Sequence, residues 1–270
     1  LICHPDAPEP THTKTGVYEH PTPRYKGEVH AFGPVLNAPF HSRSHFAARS
    51  NMAVDPPLQF PRTTTVGDLR VCIRPVTPDD RGRILEGLRS MSVETSYRRF
   101  FTPKFYPNEE TLHYLTHVDG EQHMAIGAVD CTREGFPGIG AARYVRLPDQ
   151  PSVAEAAVVV IDAYQQRGIG SLLIAALSRY AAGQGSGKDA TSPLIEYFRG
   201  FVLAENRAFL TFLRNLGAVR ERAHDGVIQI DVPVYAHAEA LPDSPEIPRA
   251  QWAWRTLDEA QIGDCEDPPS

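Results

Sequence analysis

The sequence has no run of eighteen apolar residues, so nothing in it predicts a membrane-spanning helix. Its first residues, 1–5, carry neither a basic stretch nor an apolar one, and they do not look like a secretion signal. Cysteine is scarce, and its spacing fits neither a metal site nor a close pair; the four are Cys3, Cys72, Cys131 and Cys265. These absences favour a reduced, cytoplasmic setting, with no disulfide framework, no bound metal and no membrane partner.

Positive charge is also in short supply. The chain has 27 basic and 33 acidic residues, for a formal net charge of −6. Residues 235–270 hold eight acidic side chains and two arginines, so they account for the excess. Between Val66 and Val234 the two signs nearly cancel. A nucleic-acid-binding protein needs a basic surface, and the sequence therefore predicts no nucleic-acid partner.

The first 65 residues differ in composition from the rest. They hold ten of the 24 prolines and six of the 11 histidines, with little apolar periodicity. Such a segment buries too little surface to offset its ordering entropy, and we expect it to be mostly disordered. The irregular histidine spacing does not favour a metal site. Met52 opens a plausible start, so residues 1–51 are either a leader without structural role or translation from a misassigned start.

Residues 66–234 show the mixed periodicity of an α/β domain. Helical patterns occupy four regions, with two helices in the first: 78–101, 108–117, 168–182 and 206–216. Alternating or apolar strand patterns occupy seven more: 69–74, 122–131, 138–146, 154–162, 194–203, 218–222 and 227–234. This order predicts helices packed around one central sheet. The sequence thus divides into a Pro/His-rich segment (1–65), a folded domain (66–234) and an acidic tail (235–270).

A glycine turn joins the apolar stretch 156–161 to the helical stretch 171–177. The turn reads Gln165-Gln166-Arg167-Gly168-Ile169-Gly170. A helix N-terminus presents unpaired N–H groups and the positive end of its dipole, and glycine lets an anion approach the backbone. No Gly-Lys-Ser/Thr follows, which excludes a P-loop, and the third glycine of a dinucleotide fingerprint is missing. The turn therefore fits a phosphate site of another kind, and the alternative is a purely structural connection between strand and helix.

This turn resembles the Gln/Arg-x-x-Gly-x-Gly/Ala signature of the GNAT superfamily of acyl-CoA-dependent N-acyltransferases. The resemblance extends to Glu155 before the apolar strand and to Asn206, which opens a helix that ends in Leu216-Gly217-Ala218. It implies an α/β (α+β) fold, with a mixed, mostly antiparallel central sheet, helices on both faces and flexible termini around a single domain. It also implies acetyl-CoA as co-substrate and no metal.

The resemblance assigns roles residue by residue. Backbone amides of residues 166–171 would bind the pyrophosphate, and the strand before them would bind pantetheine. The full cofactor set is Val158, Val159, Val160, Gln165, Gln166, Arg167, Gly168, Ile169, Gly170, Ser171 and Asn206. Glu155 would be the base that accepts the amine proton, although a solvated glutamate at a strand start is the alternative. Asn206 can also serve as a helix N-cap. Many members have a tyrosine seven residues later as general acid, but Leu213 stands there.

Two further segments, 97–101 and 115–119, resemble the acyltransferase domain of bacterial protein-lysine acetyltransferases that act on acyl-CoA synthetases. This favours a protein lysine as acceptor. A small amine acceptor and a non-catalytic acyl-CoA sensor remain open. Arg98 and Arg99 fit an exposed pair as well as an acceptor contact, and His117 and Asp119 fit structural roles equally well.

Overall fold

The structure is a computed structural model that describes residues 58–184, 193–243, 247–263 and 265. The chain divides into two units, 1–50 and 51–270, and every described residue belongs to the second. The disorder and the histidines predicted for residues 1–65 fall mainly on residues 1–57, which lie outside the described part. The described residues 58–65 include the start of a strand at Arg62, so the prediction of disorder was wrong there. None of the described helices has the length and apolarity needed to cross a membrane.

The described strands form one nine-stranded sheet in the order β7-β8-β6-β5-β4-β3-β2-β1-β9. Their bounds are β1 Arg62–Val66, β2 Leu69–Pro75, β3 His123–Asp130, β4 Gly138–Leu147, β5 Gln150–Val160, β6 Tyr197–Leu203, β7 Arg220–His224, β8 Val227–Pro233 and β9 Gln261–Ile262. Only the β5–β6 pair is parallel among these. The prediction of a mixed, mostly antiparallel sheet is confirmed.

Six α-helices accompany the sheet within the described residues. They are α1 Arg81–Ser90, α2 Val93–Phe100, α3 Glu109–Thr116, α4 Ile169–Gly183, α5 Arg207–Asn215 and α6 Ile247–Glu259. Side chains alternate along β5, so Val160 reaches the start of α4 while Val159 faces a cavity beneath α1. The helices therefore cover both faces, as predicted. The buried core includes α4 residues such as Leu172 and Leu173, which are fully enclosed.

The parallel pair β5–β6 is short. Val153, Ala154 and Glu155 pair with Tyr197, Phe198 and Arg199, and no later pair joins the two strands in the described part. β6 pairs with β8 along its whole length, from Tyr197 to Leu203, whereas beyond Glu155 β5 pairs only with β4. The two strands consequently separate after Glu155. The outer backbone edge of residues 156–160 borders this opening, which we call the wedge.

The domain extends beyond the limits predicted from the sequence. Residues 235–270 were assigned to an acidic tail, yet α6 and β9 lie there and pack on the domain. Four α6 side chains at helical spacing are buried: Ala250, Ala253, Trp254 and Leu257. β9 pairs with β1, which itself precedes the predicted start at residue 66. The prediction failed here because charge composition hid a short apolar stripe.

The prediction of no disulfide was wrong. Cys131 and Cys265 form a disulfide, with Cα atoms 5.4 Å apart and a sequence separation of 134. Cys131 directly follows β3, and the chain after β9 returns to it. Sequence spacing could not reveal this pair, because it depends on the C-terminal segment folding back against the edge of the sheet.

Candidate functional site

The glycine turn has the geometry of an uncapped helix start. Gly168 precedes α4 with φ of 89° and brings no capping side chain, and Gln166 also has a positive φ of 60°. Leu172 N–H donates to the carbonyl of Gly168 at 3.0 Å. The N–H groups of Ile169, Gly170 and Ser171 have no such partner among the residues that the structure describes. The turn thus offers three backbone donors to an anion.

Polar contacts hold the turn against α2. Asp162 accepts hydrogen bonds from Ser92 N–H at 2.8 Å, Ser92 Oγ at 2.6 Å and Thr95 Oγ1 at 2.8 Å. Burial opposes ionisation of Asp162, but the Ser92 hydrogen bonds outweigh it and lower the carboxyl pKa. Gln165 Nε2 donates to Val160 O at 2.9 Å and to Thr95 Oγ1 at 3.0 Å. Two side chains of the turn are therefore occupied in holding it.

The remaining side chains of the turn point in different directions. Arg167 is exposed, forms an ion pair with Asp68 at 3.1 Å, and lies 6.0 Å from the Tyr164 ring centroid. Ile169 is buried in the core. Anion binding by this turn would depend mainly on the backbone, with Arg167 as the nearby mobile cation once it leaves Asp68.

Trp252 of α6 lies against Gly168. A Cβ added at Gly168 would be 2.7 Å from Trp252 Cζ3 and 2.9 Å from Cη2, so the indole fills the space where a side chain would stand. The same test at Gly170 finds only Val160 Cγ2, at 3.7 Å. No local sequence pattern predicts this contact, since Trp252 lies in the region assigned to the tail. The two glycines therefore have different neighbours.

Glu155 lies at the apex of the wedge. It is the last residue of β5 that pairs with β6, in register with Arg199. The sequence pattern predicts a strand that starts next to Glu155. In the structure β5 begins at Gln150, so Glu155 lies mid-strand. The polar residues 150–152 hid that beginning. Burial raises the pKa of the Glu155 carboxyl, and the charges of Arg99 and Arg199 oppose the rise.

The two arginines near Glu155 have different partners. Arg199 donates to both carboxylate oxygens of Asp231 at 2.8 Å, and Asp231 is fully buried. Arg99 has no hydrogen bond or ion pair with any residue in the described ranges, and its guanidinium carbon lies 4.9 Å from the centroid of the Phe100 ring. Burial lowers the Arg99 pKa to about 10, still far above neutrality. Arg98, by contrast, is exposed and paired with Glu94 at 2.5 Å.

A second set of polar groups lies beside Arg99. Arg143 donates to the Leu115 carbonyl at 2.9 Å and lies 3.3 Å from His123 Nε2. Burial and the Arg143 charge lower the His123 pKa to about 4, so its ring is neutral and accepts this hydrogen bond. Burial also raises the pKa of Tyr114, which feels the charges of Arg143 and Glu155. No sequence pattern predicts that Arg143, His123 and Tyr114 belong to the site.

An apolar cavity of about 110 Å³ adjoins these groups. It lies between α1–α2 and the face of β3–β5 that carries Glu155. Its lining includes Arg99, Arg143, Ala157 and Val159, together with Gly87, Leu88 and Met91 from the end of α1. Ala157 is paired across the sheet with Arg143. Small side chains on the sheet leave this space, which is large enough for a short acyl chain.

Comparison with known proteins places this geometry in a family. A family model described as an acetyltransferase (GNAT) domain matches residues 70–219. Acetyltransferase Pat of Mycolicibacterium smegmatis is 34% identical over 250 residues, covering 90% of this chain and 68% of that protein. The chain belongs to the GNAT acetyltransferase family. It is an acyl-CoA-dependent N-acetyltransferase that moves an acetyl group from acetyl-CoA to an amine.

A solved GNAT structure agrees with this assignment. The GNAT domain of S. lividans PAT is 26% identical, with a TM-score of 0.52, and the match covers 65% of this chain and 99% of that one. A cAMP-binding acyltransferase from Mycobacterium smegmatis is 29% identical, covering 74% of this chain and 54% of that chain with a TM-score of 0.41. At that score the second likeness adds nothing to the fold assignment.

Several GNAT-related predictions now have a structural setting. Asn206 precedes α5 and makes no side-chain cap hydrogen bond, so its amide is not committed to the helix end. Leu213 is buried on α5 and leaves that position without a hydroxyl. His117 stacks on His113 with ring centroids 3.7 Å apart. Asp119 accepts backbone N–H groups of residues 121–123, which is a structural role in the loop before β3.

Proposed function

We propose that acetyl-CoA binds along the wedge between β5 and β6. The observation that carries the proposal is the end of β5–β6 pairing at Glu155, which leaves the outer backbone edge of Val158, Val159 and Val160 beside the opening. Pantetheine would hydrogen-bond to this edge. The pyrophosphate would then lie at the turn of residues 165–171, where the start of α4 offers uncapped N–H groups. Asn206, on the other wall, would contact the pantetheine arm.

Glu155 is proposed as the general base. An ammonium acceptor must lose a proton before its nitrogen can attack the thioester, and a carboxylate of raised pKa suits this near neutral pH. Burial raises the Glu155 pKa, and the wedge apex brings this side chain next to the expected thioester. Asp231 fully engages Arg199, so that arginine does not block the carboxylate by pairing with it.

The acceptor is proposed to be a protein lysine. α2, which carries Arg99 near Glu155, exposes the large apolar side chains of Val93 and Tyr97, and Tyr106 follows with 79% exposure. Exposed apolar groups at the rim of a site favour a macromolecular partner. The likeness to acetyltransferase Pat supports the same class. A small amine acceptor would need none of these exposed groups.

A cytoplasmic location is proposed with the acyltransferase activity, because acetyl-CoA is supplied there. The Cys131–Cys265 disulfide weighs against it, since reducing compartments keep such pairs as thiols. Mass spectrometry of the protein trapped with alkylating reagent directly from cells would decide between the two states.

One experiment tests the proposed function. Labelled acetyl-CoA is incubated with the protein and either a cell lysate or a panel of polyamines, amino acids and aminoglycosides. We expect label on protein lysines and a roughly 10²–10⁴-fold slower rate for Glu155→Gln, whose amide keeps the shape but cannot accept the proton. Glu94→Gln, an exposed glutamate on α2, is the matched control and should transfer at the parental rate.

Three results of this experiment would each contradict a different part of the proposed function. Label confined to the amine panel would replace the lysine acceptor with a small molecule. A Glu155→Gln rate within threefold of the parent, with chemistry rate-limiting, would remove Glu155 as base. CoA binding without any transfer would favour a sensor.

A further inference from the structure

α6 is fixed along α4 by contacts of three kinds. Ala253, Trp254 and Leu257 are buried, with at most 1% exposure. Trp254 Nε1 donates to the Tyr235 carbonyl at 3.2 Å, and Arg179 of α4 pairs with Asp258 at 2.5 Å. β9 follows immediately and pairs with β1. The helix therefore holds its side chains in defined positions relative to the start of α4.

Trp252 is the α6 side chain that reaches the glycine turn. The six-membered edge of its indole lies where a Gly168 side chain would stand. Yet Trp252 remains 38% exposed, while Trp254, two residues later, is 1% exposed. If Trp252 only covered Gly168, complete burial of its apolar ring would be more favourable than leaving part of the side chain in solvent. A partly exposed aromatic ring thus lies beside three uncapped N–H groups.

Coenzyme A contains a purine ring that can stack on the Trp252 side chain. Its pyrophosphate links pantetheine to an adenosine bearing a 3′-phosphate. With the pyrophosphate at the N–H groups of residues 169–171, the adenosine lies within one nucleotide length of the turn. Purine rings stack on aromatic side chains, and each such contact is worth roughly 1–3 kcal/mol by alanine substitution. Trp252 is the exposed large aromatic side chain that the described structure places against this turn.

We propose that Trp252 stacks on the adenine ring of coenzyme A, so that α6 forms the outer wall of the nucleotide subsite. This inference rests on the proposed pyrophosphate site at the turn. It assigns a binding role to a segment beyond the glycine turn and the wedge. The subsite recognises the adenosine 3′,5′-bisphosphate portion of the cofactor and makes no contact with its acyl end.

Intrinsic fluorescence tests the proposal directly. The chain has two tryptophans, and Trp254 is buried, so a ligand that stacks on Trp252 should quench the exposed fraction of the emission. The probes are CoA, adenosine 3′,5′-bisphosphate and pantetheine. We expect quenching by the first two and none by pantetheine. Trp252→Phe should abolish the change in emission while keeping most of the affinity, since phenylalanine still stacks.

Affinity provides the second readout. Trp252→Ala should weaken CoA binding in calorimetry by roughly 5- to 100-fold, which is the stacking range converted at tenfold per 1.4 kcal/mol. Its affinity for pantetheine should not change. Tyr106→Ala, which removes another exposed aromatic ring, is the matched control and should bind CoA like the parent.

The two measurements distinguish failure of the stacking proposal from failure of the proposed function. Unquenched emission on CoA binding, with equal CoA affinity in Trp252→Ala and the parent, would overturn the stacking proposal and leave the proposed function standing. Failure of the parent to bind CoA would overturn both. If Trp252→Ala does not fold, quenching of the parent by adenosine 3′,5′-bisphosphate, and its loss in Trp252→Phe, still decides the question.

Discussion

Two arginines among the described residues, Arg99 and Arg199, lower the pKa of Glu155, and they differ in their own partners. Arg199 is held by both oxygens of buried Asp231, so its charge is largely neutralised. Arg99 has no such anion among the described residues, and its guanidinium acts on Glu155 across the cavity wall. Burial raises the Glu155 pKa and Arg99 limits that rise. Arg99 therefore favours the ionised form of the proposed base.

The pH profile of the reaction should report this effect. With Glu155 as the proposed base, only its ionised form accepts the amine proton, so kcat/KM should fall as pH drops through its pKa. Removing the positive charge in Arg99→Met raises that pKa further, and the acid limb should move to higher pH. Arg98→Met, which changes an exposed arginine already paired with Glu94, should leave the limb in place. Coincident acid limbs for parent and Arg99→Met would show that Arg99 does not act on the base.

At the residue scale, the sequence could predict only those site residues that lie close together along the chain. Glu155 and the glycine turn lie within sixteen consecutive residues, and Gly-x-Gly spacing at a strand–helix junction carries its own chemistry. Arg143, His123 and Tyr114 come from three separate elements, and Trp252 follows the turn by 84 positions. Nothing local marks them, because their relation to Glu155 or Gly168 exists only after the sheet has formed.

At the scale of elements, the start of α4 separates the roles of its two glycines. Gly168 has a positive φ, and a Cβ there would meet the Trp252 ring at 2.7 Å. Gly170 is helical, with its nearest neighbour at 3.7 Å. Gly168→Ala should therefore lower the Tm without ligand, because the left-handed conformation alone costs roughly 1–2 kcal/mol. Gly170→Ala should keep or slightly raise it, since alanine restricts the unfolded chain.

Thermal unfolding of both variants without ligand checks this, with the shift read at about 2–4 °C per kcal/mol for a domain of this size. The double variant Gly168→Ala/Trp252→Ala should regain the part of the Tm loss that comes from the clash with the indole. The part that comes from the left-handed backbone at residue 168 should remain. Equal Tm values for the two single variants would mean that the turn does not have this conformation in solution.

The long elements were predictable and the edges were not. α4 and β5 follow clear apolar patterns, and both occur within a few residues of their expected positions. β1, with its Arg-Thr-Thr-Thr-Val sequence, has little apolar content and depends on pairing with β2. β9 has two residues and depends on β1. Such edge strands exist because of their neighbours, so local sequence carries little information about them.

At the scale of the whole molecule, the C-terminal segment closes the domain. From α4 the contacts run through α6 to β9, which pairs with β1 and forms the far edge of the sheet from β7. Thr63 Oγ1 donates to the Gly263 carbonyl at 2.7 Å, and Arg62 donates to the Ala260 carbonyl at 3.1 Å. The Cys131–Cys265 disulfide lies just past β9. The position of α6, and with it Trp252, thus depends on its packing against α4 and on contacts beyond its C-terminal end.

The disulfide should contribute measurably to stability. It joins residues 134 positions apart, and cross-links that close long loops typically add about 2–4 kcal/mol by restricting the unfolded chain. Dithiothreitol should therefore lower the Tm of the purified parent by several degrees, since each kcal/mol shifts a domain of this size by about 2–4 °C. Cys265→Ser should start near the reduced parent and not respond to the reagent.

Thiol counting makes this result unambiguous. The chain has four cysteines, so alkylation of the denatured, unreduced parent should add two adducts to the intact mass, and prior reduction should allow four. Four adducts before reduction, with no effect of dithiothreitol on the Tm, would show that Cys131 and Cys265 are thiols in the purified protein. In that case β9, its hydrogen bonds to residues 61–63 and the buried face of α6 would have to hold the C-terminal segment without a covalent link.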